Sequence, residues 1–198
     1  MPELQTVLLP TGASATAVMS PAKRPKSLRG LRVGLLDNGK EFSDQVLEAL
    51  AEVLRRDHGI THLKFWHKGF PAKGAPFIKE MAAETDVAIS GVGHCGSSSP
   101  WSVIDAVNLE EAGVPSVALI SRSFCTLGQI VARGQGHGGL PIVMLPHPIG
   151  EADAGKIAQK GVDAAAECVR LLTTPSEMVG KEFAAKKFPL PEHAVARG

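Results

Sequence analysis

The densest chemistry in this 198-residue chain lies in the segment SGVGHCGSSSPW, residues 90–101. Gly91, Gly93 and Gly96 permit tight backbone turns, and Ser97, Ser98 and Ser99 offer hydroxyl and amide donors just ahead of a helix whose start is marked by Ser99-Pro100. A helix start of this kind binds anions. The same partial positive charge favours thiolate over thiol, which makes Cys95 a candidate nucleophile or redox centre. The plain alternative is a small cysteine buried in a glycine-rich turn. A loop for a dinucleotide or nucleotide is not supported, because neither GxGxxG nor GxxxxGK[ST] occurs.

Other reactive residues are scattered along the chain, so the elements must bring them together. Five short apolar runs, 31–36, 62–66, 86–92, 114–120 and 141–145, read as strands that alternate with helical patterns. Residues 43–56 put Val46, Leu47, Leu50, Val53 and Leu54 on one helical face, and His58-Gly59 closes it. Residues 76–84 read as a second helix, a third runs from Ser99 to a stop at Gly113, and 151–172 repeats Ala158, Gly161, Ala165, Cys168, Val169 and Leu172 on one face. This alternation predicts a single three-layer α/β domain. Its five-stranded parallel sheet, covered on both faces, would be flavodoxin-like (Rossmann-like) with strand order 2-1-3-4-5.

In open parallel sheets ligands bind beyond the carboxyl ends of the strands. The five runs lead into Asp37, Asn38 and Lys40; His67 and Lys68; His94, Cys95 and the three serines; Ser121, Arg122, Ser123 and Cys125; and His147. His147, held between prolines in LPHP, is the expected general acid or base, and a histidine capping a loop carbonyl is its alternative. Lys40, Lys68 and Arg122 could bind a carboxylate or phosphate, arginine in bidentate fashion, although each alone also reads as a solvated cation. With the serines, the expected substrate-binding set is Asn38, Lys40, His94, Gly96, Trp101 and Arg122. Trp66 and Trp101 read as ligand walls or core, Cys168 as core, and His137 in GQGHGG as part of a cover or a flexible turn. No CxxC, HxH or HExxH spacing occurs, so neither a metal nor another cofactor is expected.

Composition narrows the class. With 44% apolar and 21% charged residues the chain fits one globular domain, and a net charge of +1 without long like-charge runs argues against nucleic acid as a partner. No stretch approaches the roughly 20 apolar residues of a membrane span. Three cysteines suit a reducing compartment, and the first residues place apolar ahead of positive, the reverse of a secretory signal, so the expected location is cytoplasmic. Residues 1–30, with Pro2, Pro10, Pro21 and Pro25, read as an arm over the domain or a neighbour, 31–172 as the α/β domain, and 173–198 as an extended tail. Arm and tail suggest a homo-oligomer or a partner subunit.

From about residue 28 to 172 the chain resembles the UGSC family, selenoprotein-type or thioredoxin-like domains named for a selenocysteine-Gly-Ser-Cys motif and distantly similar to selenoprotein subunits of glycine and proline reductases. The matching stretches are GLLDNGK at 34–40, DVAISGVGHCGSSSPWSVIDAV at 86–107, GVPSVALI at 113–120 with Phe124 after it, and LPHPIG at 145–150. The resemblance implies that Cys95 occupies the selenocysteine position. It also exposes a departure: the fourth motif position, a cysteine in the family pattern, is Ser98 here. Serine cannot resolve a mixed disulfide, so either Cys125 takes over as resolving thiol or the chemistry is non-redox.

The expectation is a cysteine-dependent enzyme, a lyase, hydrolase or reductive eliminase. Cys95 would make or break a carbon-heteroatom bond in a small anionic metabolite, and His147 would move a proton. A thiol-disulfide reductase using Cys95 and Cys125 is one alternative, and a non-catalytic ligand-binding or accessory subunit is the other.

Overall fold

The computed structural model describes residues 19–69 and 71–190. Five strands, β1 (Arg32–Asp37), β2 (His62–His67), β3 (Val87–Gly93), β4 (Ser116–Ser121) and β5 (Ile142–Leu145), form one parallel sheet in the order β2-β1-β3-β4-β5. β1, β3 and β4 are the inner strands and are buried along almost their whole length. β2 departs from the expected continuous apolar pattern. As an outer strand it sends His62, Lys64 and His67 to solvent.

Helices cover both faces, as the right-handed crossover of parallel strands requires. They are α1 (Ser43–His58), α2 (Ile78–Glu84), α3 (Ser98–Glu111), α4 (Cys125–Gly134), α5 (Ala154–Thr173) and α6 (Ser176–Ala185). α1 and α5 pack on each other, and α3 packs against α2 and α4. The α1–α5 contact is close because α5 presents Gly161, where a Cβ would lie 2.0 Å from the Val46 carbonyl oxygen.

Three expectations are corrected. α3 begins at Ser98 rather than after Ser99, so Pro100 sits at the third helical position; it is tolerated there because the first four helical N–H groups have no partner inside the helix. The tail after Pro175 is not extended throughout but forms α6, which buries Val179 and Phe183 one turn apart, and the chain beyond it buries Phe188. The GQGHGG segment follows α4 and precedes β5, so it lies at the amino end of the sheet. There His137 is buried with its Nε2 3.2 Å from a Glu111 carboxylate oxygen, away from any cover over the carboxyl edge.

Residues 19–30 lie over their own domain. Arg24 is buried, and its guanidinium donates to Glu110 at 2.8 Å and to the carbonyls of Ala22, Leu171 and Ser116. The rest of the expected arm, residues 1–18, and the last part of the tail, 191–198, lie outside the described residues. No helix among the described residues is long and apolar enough to cross a membrane.

Overpacking at the α1–α5 contact tests this architecture. Gly161→Ala is expected to lower unfolding free energy in urea by about 1–3 kcal/mol. Gly134→Ala, at an exposed helix end with nothing within 4 Å of the new methyl, is expected to change it by less than about 1 kcal/mol.

Candidate functional site

The site is built around the junction of β3 and α3. The first turn of α3 lies so close to the end of β3 that a Cβ on Gly93 would sit 2.7 Å from the Ser99 Cα and 2.6 Å from Ile120 Cδ1. Only glycine permits that approach, and the four-residue link from His94 to Ser97 then delivers the thiol to the helix start. Ser97 occupies the N-cap position yet makes no side-chain cap. The Cys95 sulfur accepts the Ser98 N–H instead, at 3.2 Å.

Two hydroxyls complete the sulfur's surroundings, Ser98 Oγ at 2.9 Å and Ser97 Oγ at 3.4 Å. Ser98 Oγ accepts the His94 backbone N–H at 3.1 Å and keeps its own proton for the sulfur, which as a thiolate can only accept. Burial alone would raise the Cys95 pKa. The hydroxyls of Ser97 and Ser98 and the backbone amides of the same two residues outweigh it and bring the thiol down to about 7. Gly96 is exposed with nothing within 4 Å of where a side chain would start, which leaves an open approach beside the thiol.

His94 turns its Nε2 to the Glu41 carbonyl at 3.0 Å. A carbonyl only accepts, so Nε2 carries the hydrogen and the neutral ring keeps its lone pair on Nδ1. Burial pushes the His94 pKa below the ordinary range. The positive charges of Lys40 and His147 push the same way, against the Glu41 carbonyl and carboxylate. The carbonyl is aimed by Phe42, which adopts left-handed backbone (φ 67°), unusual for an aromatic residue. Its ring lies against Gly150, where a Cβ would come within 2.4 Å of it.

Gly150 belongs to the loop that carries His147. That loop is fastened by buried Ile149 and by buried Lys160, whose ammonium donates to the Ile149 carbonyl and pairs with Glu151. His147 Nδ1 lies 3.2 Å from the buried Ser121 Oγ, and Phe124 meets the ring edge-on. Arg122, at the exit of β4, is exposed, and its guanidinium has no hydrogen-bond or ion-pair partner among the described residues. His147 and Lys40 both act electrostatically on His94, the residue before Cys95.

Several expected site residues serve structure instead. Asn38 is buried, its amide donates to the Val92 carbonyl and Ser102 Oγ while its oxygen accepts the Lys40 N–H, and the residue ties the ends of β1 and β3 to α3. Lys68 is buried against Asp105 and the Lys73 carbonyl, which holds the loop between β2 and α2. Trp101 lies against Gly74 of that loop. Ser99 lies inside the first turn of α3, with its hydroxyl buried and unpartnered among the described residues. Cys125 is fully buried and donates to the Ile120 and Ser121 carbonyls, and burial pushes its thiol up to about 12. It is therefore not an available resolving thiol for Cys95. Cys168 is core, as expected.

Sequence reasoning missed one pair: His67 Nδ1 lies 2.8 Å from Asp37 Oδ2. The signal was available, since both residues end strands that the expected order makes neighbours.

Against models of known protein families, residues 6–174 match the UGSC family. No curated protein matches the chain.

The geometry makes a direct prediction for labelling. Iodoacetamide should modify Cys95 with a rate that rises through pH 7 and levels off above it, while Cys125 and Cys168 react only after unfolding. Ser98→Ala should move the Cys95 midpoint upward by about one pH unit, the size of one lost hydrogen bond to a charged group. An unchanged midpoint would remove Ser98 as a source of the shift.

Proposed function

The chain belongs to the UGSC family, and we propose that it is a cysteine-dependent enzyme in which the Cys95 thiolate attacks an electrophilic carbon of a small polar metabolite carrying an anionic group. The observation that carries this reading is the sulfur at the start of α3, held by two hydroxyls and an amide and ionised near neutral pH. In the selenocysteine-Gly-Ser-Cys pattern, Cys95 holds the first position and Ser98 the last. The serine cannot form a disulfide, but its proton stabilises the thiolate, so the change from cysteine exchanges redox resolution for support of a nucleophile.

In its hydrolytic form the reaction runs at an acyl carbon. The thiolate adds to the carbon and a carbon–sulfur bond forms. The bond to the heteroatom breaks, and the heteroatom leaves with the electron pair and takes a proton from His147. Water, losing a proton to His94 Nδ1, then attacks the same carbon and returns the electron pair to sulfur. Arg122, whose guanidinium has no partner among the described residues, is suited to an anionic group on the substrate. His94, kept neutral, and His147, set against a hydroxyl, divide the base and acid roles between two different surroundings.

The test is a panel of small carboxylate- and phosphate-bearing esters, thioesters, amides and halides, with the released leaving group measured. The native protein should turn over at least one of them and show a mass increment on the Cys95 peptide. Cys95→Ser should lower that turnover at least about a thousandfold. Turnover that survives Cys95→Ser, or a tight stoichiometric complex with an unreactive Cys95, would contradict the reading.

A further inference from the structure

The sheet ends in two outer strands, and only one of them is covered. Apart from the Met144 side chain, β5 is enclosed: Ile142, Val143 and Leu145 are 1–3% exposed, and Lys186, from the chain beyond α6, lies beside the strand together with α5. β2 has no such cover. His62, Lys64, Phe65 and His67 are exposed, and Leu63 and Trp66 are only half-buried.

The direction of the β2 backbone follows from its pairing with β1. The register is unbroken from Arg32 against His62 to Asp37 against His67, and the Lys68 N–H in the next position donates to the Asp37 carbonyl. Successive residues of a strand turn their N–H and C=O groups to opposite sides, so Lys64 and Trp66, like Lys68, face β1, and Leu63, Phe65 and His67 face away from it. The backbone groups of these three residues have no hydrogen-bond partner among the described residues. Proteins usually blunt such an edge with proline, a bulge or outward charge. β2 has neither proline nor bulge, and its one ammonium, that of Lys64, is drawn to Glu84 and over the Trp66 ring, on the side of α2.

The open row is complementary to itself. With a second copy set antiparallel about a two-fold axis at Phe65, Leu63 faces the partner's His67, Phe65 the partner's Phe65, and His67 the partner's Leu63. Each of these pairs can exchange both N–H···O bonds, because both groups of every residue point outward. The two Phe65 side chains, 39% exposed in the single chain, then meet across the axis on one face of the sheet. On the other face Lys64 stands opposite the partner's Trp66, so no charge is set against its like. We propose that the β2 edge is an interface between two copies of this chain, which joins their sheets edge to edge into one. Because β5 is covered, the pairing closes at two chains.

Sedimentation velocity and amide hydrogen exchange test it together. At about 100 μM the native protein should sediment with twice the chain mass, and dilution should dissociate it. On association the amides of Leu63, Phe65 and His67 should slow their exchange at least about tenfold, whereas those of Lys64 and Trp66, bonded to β1, should be protected at every concentration. Phe65→Lys and Phe65→Glu each place like charges opposite one another at the axis, so each variant alone should be a single chain with an unchanged circular dichroism spectrum, and an equimolar mixture of the two should regain the double mass. A native protein that stays a single chain at about 100 μM would overturn the interface. So would a double mass that persists in each folded variant alone, a mixture that stays single-chain, or association that leaves the Leu63, Phe65 and His67 amides exchanging as fast as before. Should a variant fail to fold, amide exchange on the native protein decides alone.

Discussion

The carboxyl edge of the sheet depends on one substitution of atoms: a cysteine sulfur accepts a first-turn N–H of a helix where an N-cap oxygen normally would. A helix start leaves four N–H groups unpaired and carries partial positive charge, and an acceptor placed there is stabilised most when it is negative. Cys95 Sγ receives the Ser98 amide and both neighbouring hydroxyls, so ionisation completes the cap. Burial works against the charge, and the three donors overcome it. Ser98 is the hinge of the arrangement, because its hydroxyl accepts from the His94 backbone and can donate to the thiolate at the same time.

Much of the remaining structure keeps this junction in register with its neighbours. Asn38 and Ser43 fasten the end of β3 to β1 and α1, through the Val92 carbonyl and N–H respectively. Glycine at 93 lets α3 close onto the strand, and glycine at 150 lets the His147 loop close onto Phe42, whose left-handed backbone turns the Glu41 carbonyl to His94. Lys160 reaches from α5 to hold that same loop. The site is thus assembled from the exits of β1, β3, β4 and β5 on a frame that leaves little freedom to the groups that would meet substrate.

The sheet order and most helices were legible because apolar periodicity and glycine or proline stops are local signals. The position of Cys95 and His147 at the carboxyl edge was legible for a related reason: the parallel architecture sends the residues after each strand to one edge. What failed depended on distant partners or on burial. Nothing near Asn38 or Lys68 in the sequence announces that Ser102 and Asp105 absorb them. Cys125 and Cys95 both follow strands, but one points into the core and the other caps a helix, a difference of side-chain direction that spacing does not carry. The short α4, unnoticed in CTLGQIVARG, moved His137 to the far end of the sheet. α6 was missed because its apolar signal is only Val179 and Phe183, whose burial depends on the domain beneath them.

Ionisation of Cys95 is the claim on which the functional account stands, and thiolate absorbance in the far ultraviolet reads it without any reagent. Titrating the native protein and the Cys95→Ser variant side by side should give a difference curve with one thiol ionising near pH 7. A difference curve that stays flat until well above pH 8.5, the range of an ordinary thiol, would contradict it.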